Sequence, residues 1–209
     1  MPQTREHTSV RRHQIIDAAR KVILERGSEN ITIKALADEV GLSEAAIYRH
    51  FYQKQDVLLF LIDDIGESLL NDLKYASGPK SSSLSRIGSI LRKHISSVEQ
   101  RRGVSFQIIA EIVSLGNKQL NERVSRIIER YTSELESLIN DGIESAEIRG
   151  DLDSKAASAL IFSTIHGLVS LWTLKGYGFN LRKNFDSIWS IVWPSMANQT
   201  LTYTGKPER

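Results

Sequence analysis

Apolar residues recur along most of this chain at spacings of three and four, the period of amphipathic helices, and strand-like alternation is scarce. Ile15, Ala18, Ala19, Val22 and Ile23 form one stripe of a helix over residues 9–26, which Gly27 ends. Ile33, Leu36, Ala37 and Val40 form a second over 32–40, and Ile47 and Phe51 face inward from a third that starts at Ser43. A long helix follows, opened by Lys54, with Leu58, Leu61, Ile62, Ile65, Leu69 and Leu73 inward. The turn-rich run 77–83 breaks the pattern. Beyond it the same periodicity predicts helices over 84–100, 105–115, 118–146, 154–174 and 181–193. Pro194 is expected to end or kink the last of these, and residues 202–209 to fray. About nine helices in all make this an all-α chain.

The stretch 32–51 organises the rest. Thr32 stands where an N-cap belongs, Gly41 where a left-handed C-cap needs no Cβ, and Ser43 where a second cap starts a new helix. Ala37 is small where two helices cross, and Ile47 locks the second onto the first. That spacing is a helix-turn-helix, whose second helix enters the DNA major groove. An ordinary helical hairpin has the same skeleton. The outer face of the second helix carries Glu44, Tyr48, Arg49 and His50, which favours DNA. Glu44 either accepts from a cytosine amine or serves the helix dipole. Tyr48 and His50 suit phosphate contacts, although Tyr48 packed against the first helix is a second possibility. Lys54 sits in a first helical turn, where a cation is disfavoured until a phosphate arrives.

Composition narrows the classes. The 209 residues contain no cysteine, which removes disulfides, thiolate catalysis and Cys-based zinc. There is no glycine-rich phosphate loop, HExxH or serine elbow, so no enzyme and no cofactor is expected. Two lone histidines, His94 and His166, do not make a metal site. Net charge is only +2, and residues 1–58 hold nine Lys/Arg against eight Asp/Glu, so any grip on DNA rests on a few placed contacts. Arg5, His7, Arg11, Arg12 and His13 form a polar arm that either reaches a groove or is simply solvated. Residues 1–14 lack the apolar core of a secretory signal, and serine, threonine and histidine break the run 159–174 short of a membrane span. A cytoplasmic protein without a membrane partner is the expectation.

A helix ending in ERG, then ITIKALADEVGLSEAAIYRHF, then a lysine opening a long helix, resembles the TetR family of bacterial transcriptional regulators over residues 10–60. The resemblance implies an N-terminal three-helix DNA-binding domain over 1–55 and a C-terminal helical domain for effector binding and dimerisation over 56–209. It implies that Thr32, Ile33 and Lys34 lie near the DNA backbone, that Ser43, Glu44, Ala46, Tyr48 and His50 occupy recognition-helix positions, and that Lys54 clamps a phosphate. Ala46 departs from the hydroxyl many members carry, leaving a methyl for a thymine. Gln53 is a poorer cap than the usual serine or asparagine.

The resemblance also implies an effector cavity. Ile65, Leu69, His94, Phe106, Ile109, Val113, Tyr131, Phe162 and His166 are candidate walls for a small apolar or aromatic effector. Glu111, among isoleucines and a valine, either faces a cation or solvent. All three tryptophans lie in the last two helices. Ile161, Ile165, Leu168, Trp172, Ile188, Trp189, Val192 and Trp193 are therefore expected to form a homodimer interface, the alternative being the monomer's own core. A dimer suits a palindromic double-stranded operator with half-sites about 34 Å apart. The function expected is a repressor released from its operator by an effector. The alternative is a helix-turn-helix protein governed by a protein partner, or an architectural one, without a small ligand.

Overall fold

The computed structural model describes residues 3–73 and 82–198, with side chains from Thr8 onward. Arg5 and His7 of the arm, residues 77–81 of the break and the tail 202–209 lie outside these described side chains. The helices are α1 Gln3–Arg26, α2 Ile33–Val40, α3 Glu44–Tyr48, α4 Lys54–Leu73, α5 Ser83–Gln100, α6 Val104–Ser114, α7 Lys118–Glu144, α8 Ser154–Leu174 and α9 Leu181–Met196. A 3-10 turn at Ser28–Asn30 follows α1. They group into two compact units, one of residues up to 67 with 104–127, the other of 68–103 with 128 onward, so α4 and α7 each contribute to both.

In the first unit α1 begins at Gln3, well before the expected start at residue 9. Arg11, Arg12 and His13 sit on this helix, as the predicted span 9–26 already places them. Their side chains are occupied there. Arg11 donates to Gln14, His13 pairs with the Ser9 carbonyl, and Arg12 stacks over Phe51 and Phe60 at 5.4 and 5.7 Å. The stripe Ile15, Ala18, Ala19, Val22 and Ile23 is buried as its spacing requires. Ser28 is buried too, donating from its hydroxyl to the Glu111 carbonyl (3.0 Å) and from its backbone N–H to the Glu111 carboxylate (3.4 Å). Glu111 is exposed on α6, and from that solvated face it also accepts from Ser28, tying α6 to the turn after α1. Gly66 is small because Ile127 of α7 lies where its Cβ would stand.

In the second unit α5 presents Ile87, Ile90, Leu91, His94, Ile95 and Val98 inward, all buried. Gly88 leaves room for Trp189, whose ring stacks on Phe185. Trp172 is buried and donates from its indole to the Phe179 carbonyl at 2.9 Å. Ile161, Ile165, Leu168, Trp172 and Trp189 thus belong to the subunit's own core, which corrects their placement on an interface. Ile188 and Val192 are half-buried, and of the eight only Trp193 is classed as exposed. The apolar residues α8 turns outward are Leu160, Leu171 and Leu174, and α9 adds Ile191.

Pro194 neither ends nor visibly breaks α9, which runs on to Met196. The backbone past α7 holds its last turn: Arg149 donates from its N–H to Met196 O (3.0 Å) and from Nε to Ser195 O (2.9 Å), and Asn198 N–H to Glu147 O (2.9 Å). The two Arg149 bonds satisfy carbonyls that the end of α9 leaves open. By length and composition α8 is long and apolar enough to cross a membrane, contrary to the expected shortfall, yet its Ile161–Ile165–Leu168–Trp172 stripe is spent on the core.

Candidate nucleic-acid interface

Three caps build the reading head. Thr32 Oγ1 accepts from Ala35 N–H at 3.0 Å and starts α2. Gly41 takes φ 72° and ψ 40°, and Leu42 N–H returns to Ala37 O at 2.9 Å, closing the helix with a left-handed turn. Ser43 Oγ accepts from Ala46 N–H at 3.2 Å and starts α3. Ile47 is fully buried, so α3 is held by one face. The opposite face is left to solvent. Ser43, Glu44, Tyr48 and Arg49 are exposed there, Ala46 is half-buried, and Thr32 and Lys34 are exposed at the start of α2 beside a half-buried Ile33. Tyr48 is 48% exposed and so does not pack away against α1.

The turn into α4 contains what sequence reading missed. Asp56 reaches back from the first turn of α4 to accept from the N–H groups of Tyr52 (3.1 Å) and Gln53 (3.3 Å). This back-capping supplies what Gln53 lacks as a cap. It presents Lys54, which is exposed, and Tyr52, an aromatic residue left 89% exposed. An aromatic one residue past the last inward position, Phe51, was the available signal. His50 is half-buried: its carbonyl accepts from Arg12 (3.2 Å), while its Nδ1 is buried without a partner among the described residues. Burial first, then the charges of Arg12, Arg11 and Arg49, push its pKa below the usual 6.5, so the ring is neutral at pH 7.

The candidate effector residues divide between the units. Ile65, Phe106, Ile109 and Val113 belong to the first, and Val113 is exposed. Leu69 is half-buried, its inward place taken by Leu70. In the second unit His94, Tyr131, Phe162 and His166 form a chain of rings, with centroids 5.6, 5.5 and 6.0 Å apart in turn. The Tyr131 hydroxyl is buried and has no hydrogen-bond partner among the described residues. Burial, aided by the Asp72 carboxylate, pushes its pKa up, so it stays a neutral donor. Asp72 itself accepts from His94 Nδ1 (3.3 Å) and pairs with Arg101, which also reaches Ser68. Burial raises its pKa, but the His94 hydrogen bond and the Arg101 charge together outweigh that and hold the carboxyl below its usual value. Among the described residues no three His, Cys, Asp or Glu gather as a metal site.

Residues 15–60 match the model of bacterial regulatory proteins, tetR family, and residues 64–194 match that of the YsiA-like protein C-terminal region. The chain belongs to the TetR family. It is a transcriptional regulator, and regulators of this family bind DNA operators and act as dimers. Among curated TetR-like relatives, the fatty acid metabolism regulator protein of Bacillus subtilis is 25% identical over 186 residues, covering 89% of this chain and 95% of that one. Nucleoid occlusion factor SlmA of Vibrio atlanticus is 25% identical over 185 residues, covering 88% and 94%. The crystal structure of the transcriptional regulator FadR from Bacillus subtilis in complex with stearoyl-CoA superposes with a TM-score of 0.72 at 25% identity, covering 88% of this chain and 98% of that one.

Proposed function

We propose that this TetR-family regulator is a homodimeric repressor of a palindromic operator, released by a small, largely apolar effector of the acyl-thioester class. The observation that carries the DNA reading is the capped α2–α3 pair with a polar outer face on which Tyr48 stands half exposed. Residues 1–55 read DNA, and 56–209 bind effector and dimerise. Thr32, Ile33 and Lys34 meet the backbone; Ser43, Glu44 and Ala46 face base edges; Tyr48, His50 and Lys54 contact phosphates. DNA as the target sets the compartment as the cytoplasm.

The effector class rests on the likeness to FadR and on Tyr131, a neutral buried donor able to serve a carbonyl oxygen among the rings of His94, Phe162 and His166. Release requires an effector that binds the non-operator conformer better. A near-complete switch takes about 5.5 kcal/mol of differential affinity. Helix α4 is the lever, because it starts at Lys54 and ends beside Asp72.

The dimer surface is drawn from the outward faces of α8 and α9. Leu160, Thr164, Gly167, Leu171 and Leu174 recur at four and three along α8, and Gly167 has open space around it. Ile188, Ile191 and Trp193 extend the surface on α9. Such a seam suits helix packing about a two-fold axis.

The test is fluorescence anisotropy on a labelled duplex carrying the palindrome nearest its own coding sequence. Lys54→Ala is expected to weaken binding to all sequences alike and to lower the slope against log salt by about one. Stearoyl-CoA is expected to release the duplex. Unchanged binding by both Lys54→Ala and Tyr48→Ala refutes the DNA face. A second reading, control by a protein partner, is favoured by the likeness to SlmA. It gains if the DNA face is upheld and acyl-CoA neither releases DNA nor shifts the melting temperature.

A further inference from the structure

Below the recognition helix, wholly within the first unit, lies an open cavity of about 470 Å³, separate from the proposed effector core and sharing only His50 with the proposed DNA face. Its apolar wall is made by Phe51, Leu59 and Phe60. Its polar wall is cationic. Arg12, Arg123 and Arg126 line it. Arg123 is already paired, through Nε and Nη2, with both oxygens of Asp63. Asp56, on the same wall, is engaged by the backbone N–H groups of Tyr52 and Gln53. Both carboxylates are therefore engaged, and the wall keeps a net charge of +1 with two guanidiniums that have no carboxylate of their own. Arg12 and Arg126 make no ion pair among the described residues, and Arg12 Nε is buried without a hydrogen-bond partner. His50, which also lines the cavity, carries a second buried orphan, Nδ1.

Two unpaired guanidiniums, an orphan N–H and an orphan ring nitrogen beside aromatic walls are the complement of an oxyanion on a flat apolar body. Arg12 Nε–H and the Arg126 fork donate to the oxyanion, and the Nδ1–H tautomer of His50 supplies a third donor. We propose that this cavity is a second ligand site, separate from the effector core, which takes a carboxylate or phosphate group carried on an aromatic or aliphatic moiety. Because His50 and Tyr52 flank α3 and the α4 start, occupancy bears directly on the operator-reading face. The oxyanion has two possible sources, a free metabolite and the DNA backbone, and both present the same chemistry.

The experiment titrates the full-length protein with phenyl phosphate and follows the His50 ring nitrogens by long-range 1H–15N correlation. Expected is a saturable shift confined to His50, weakened on the order of tenfold in Arg126→Gln. Arg126 is exposed, so that variant is expected to keep its fold; Arg12→Gln, which removes packing on Phe51 and Phe60, is the secondary variant. Phenol at the same concentrations is the control for the apolar wall alone. A shift that never saturates, equal binding of phenol, or an Arg126→Gln titration indistinguishable from wild type overturns the site. With the site upheld, displacement of phenyl phosphate by a non-specific duplex assigns the oxyanion to the DNA backbone, and joint occupancy assigns it to a free ligand.

Discussion

Tyr131→Phe separates two things that one hydroxyl does. The side chain is 3% exposed and its oxygen has no partner among the described residues, so the folded apo protein bears the desolvation of a hydroxyl with nothing in return. Such an orphan costs about 1–3 kcal/mol. Phenylalanine keeps the ring contacts with His94 and Phe162, at 5.6 and 5.5 Å, and leaves no cavity larger than one oxygen. The variant is therefore expected to be more stable than wild type by that amount. For a chain of this size 1 kcal/mol moves the melting temperature by roughly 2–4 °C, so differential scanning fluorimetry resolves it. Stearoyl-CoA affinity is expected to move the other way, falling about tenfold as the anchoring donor is lost. A melting temperature that drops, or does not move, refutes the orphan. A stabilised apo protein with unchanged acyl-CoA affinity refutes the anchor and leaves the orphan standing.

Three other perturbations test the remaining links. Asp72→Asn removes the acceptor shared by His94 and Arg101, and is expected to cost about 1.5–3 kcal/mol at pH 7, as for hydrogen bonds to charged groups. The folded carboxyl is held below its ordinary 3.8, so its stabilisation is complete above that value and drains away as pH falls through the lower folded one. Urea midpoints of wild type and variant should thus converge on acidification below about pH 4; a constant gap sinks the assignment. Gly41→Ala meets no atom within 4 Å, so its expected cost is left-handed backbone strain alone, about 1–2 kcal/mol, read by denaturant unfolding. A cost near zero means the turn relaxes out of the left-handed region. Leu171→Glu with Ile191→Glu places charges on the outward faces of α8 and α9, and light scattering is expected to show a monomer with intact helical circular dichroism. A persistent dimer moves the interface elsewhere.

What the sequence determined by itself was local. Thr32, Gly41 and Ser43 specify the helix-turn-helix because a cap is a bond between a side chain and a backbone three residues away, and Gly41 alone relieves a positive φ. The stripes of α1 and α5 were legible for the same reason, since period 3.6 marks the buried face of any helix. Partners distant in the chain were not legible. Arg12 reads as an arm residue until Phe51 and Phe60 come under it, and nothing local to the exposed Glu111 announces Ser28, which reaches it across 83 positions. Trp172 and Trp189 look like interface anchors by composition, but side-chain type does not say which of two apolar faces a helix turns inward; the packing of α5 and α9 around Gly88 decided that for Trp189, and contacts with Tyr177 and the Phe179 carbonyl decided it for Trp172. Pro194 is a helix breaker locally, yet α9 runs through it to Met196, where Arg149 takes two of the end carbonyls. Periodicity and capping are written in neighbouring residues, whereas pairing is decided by which surfaces the folded chain brings together.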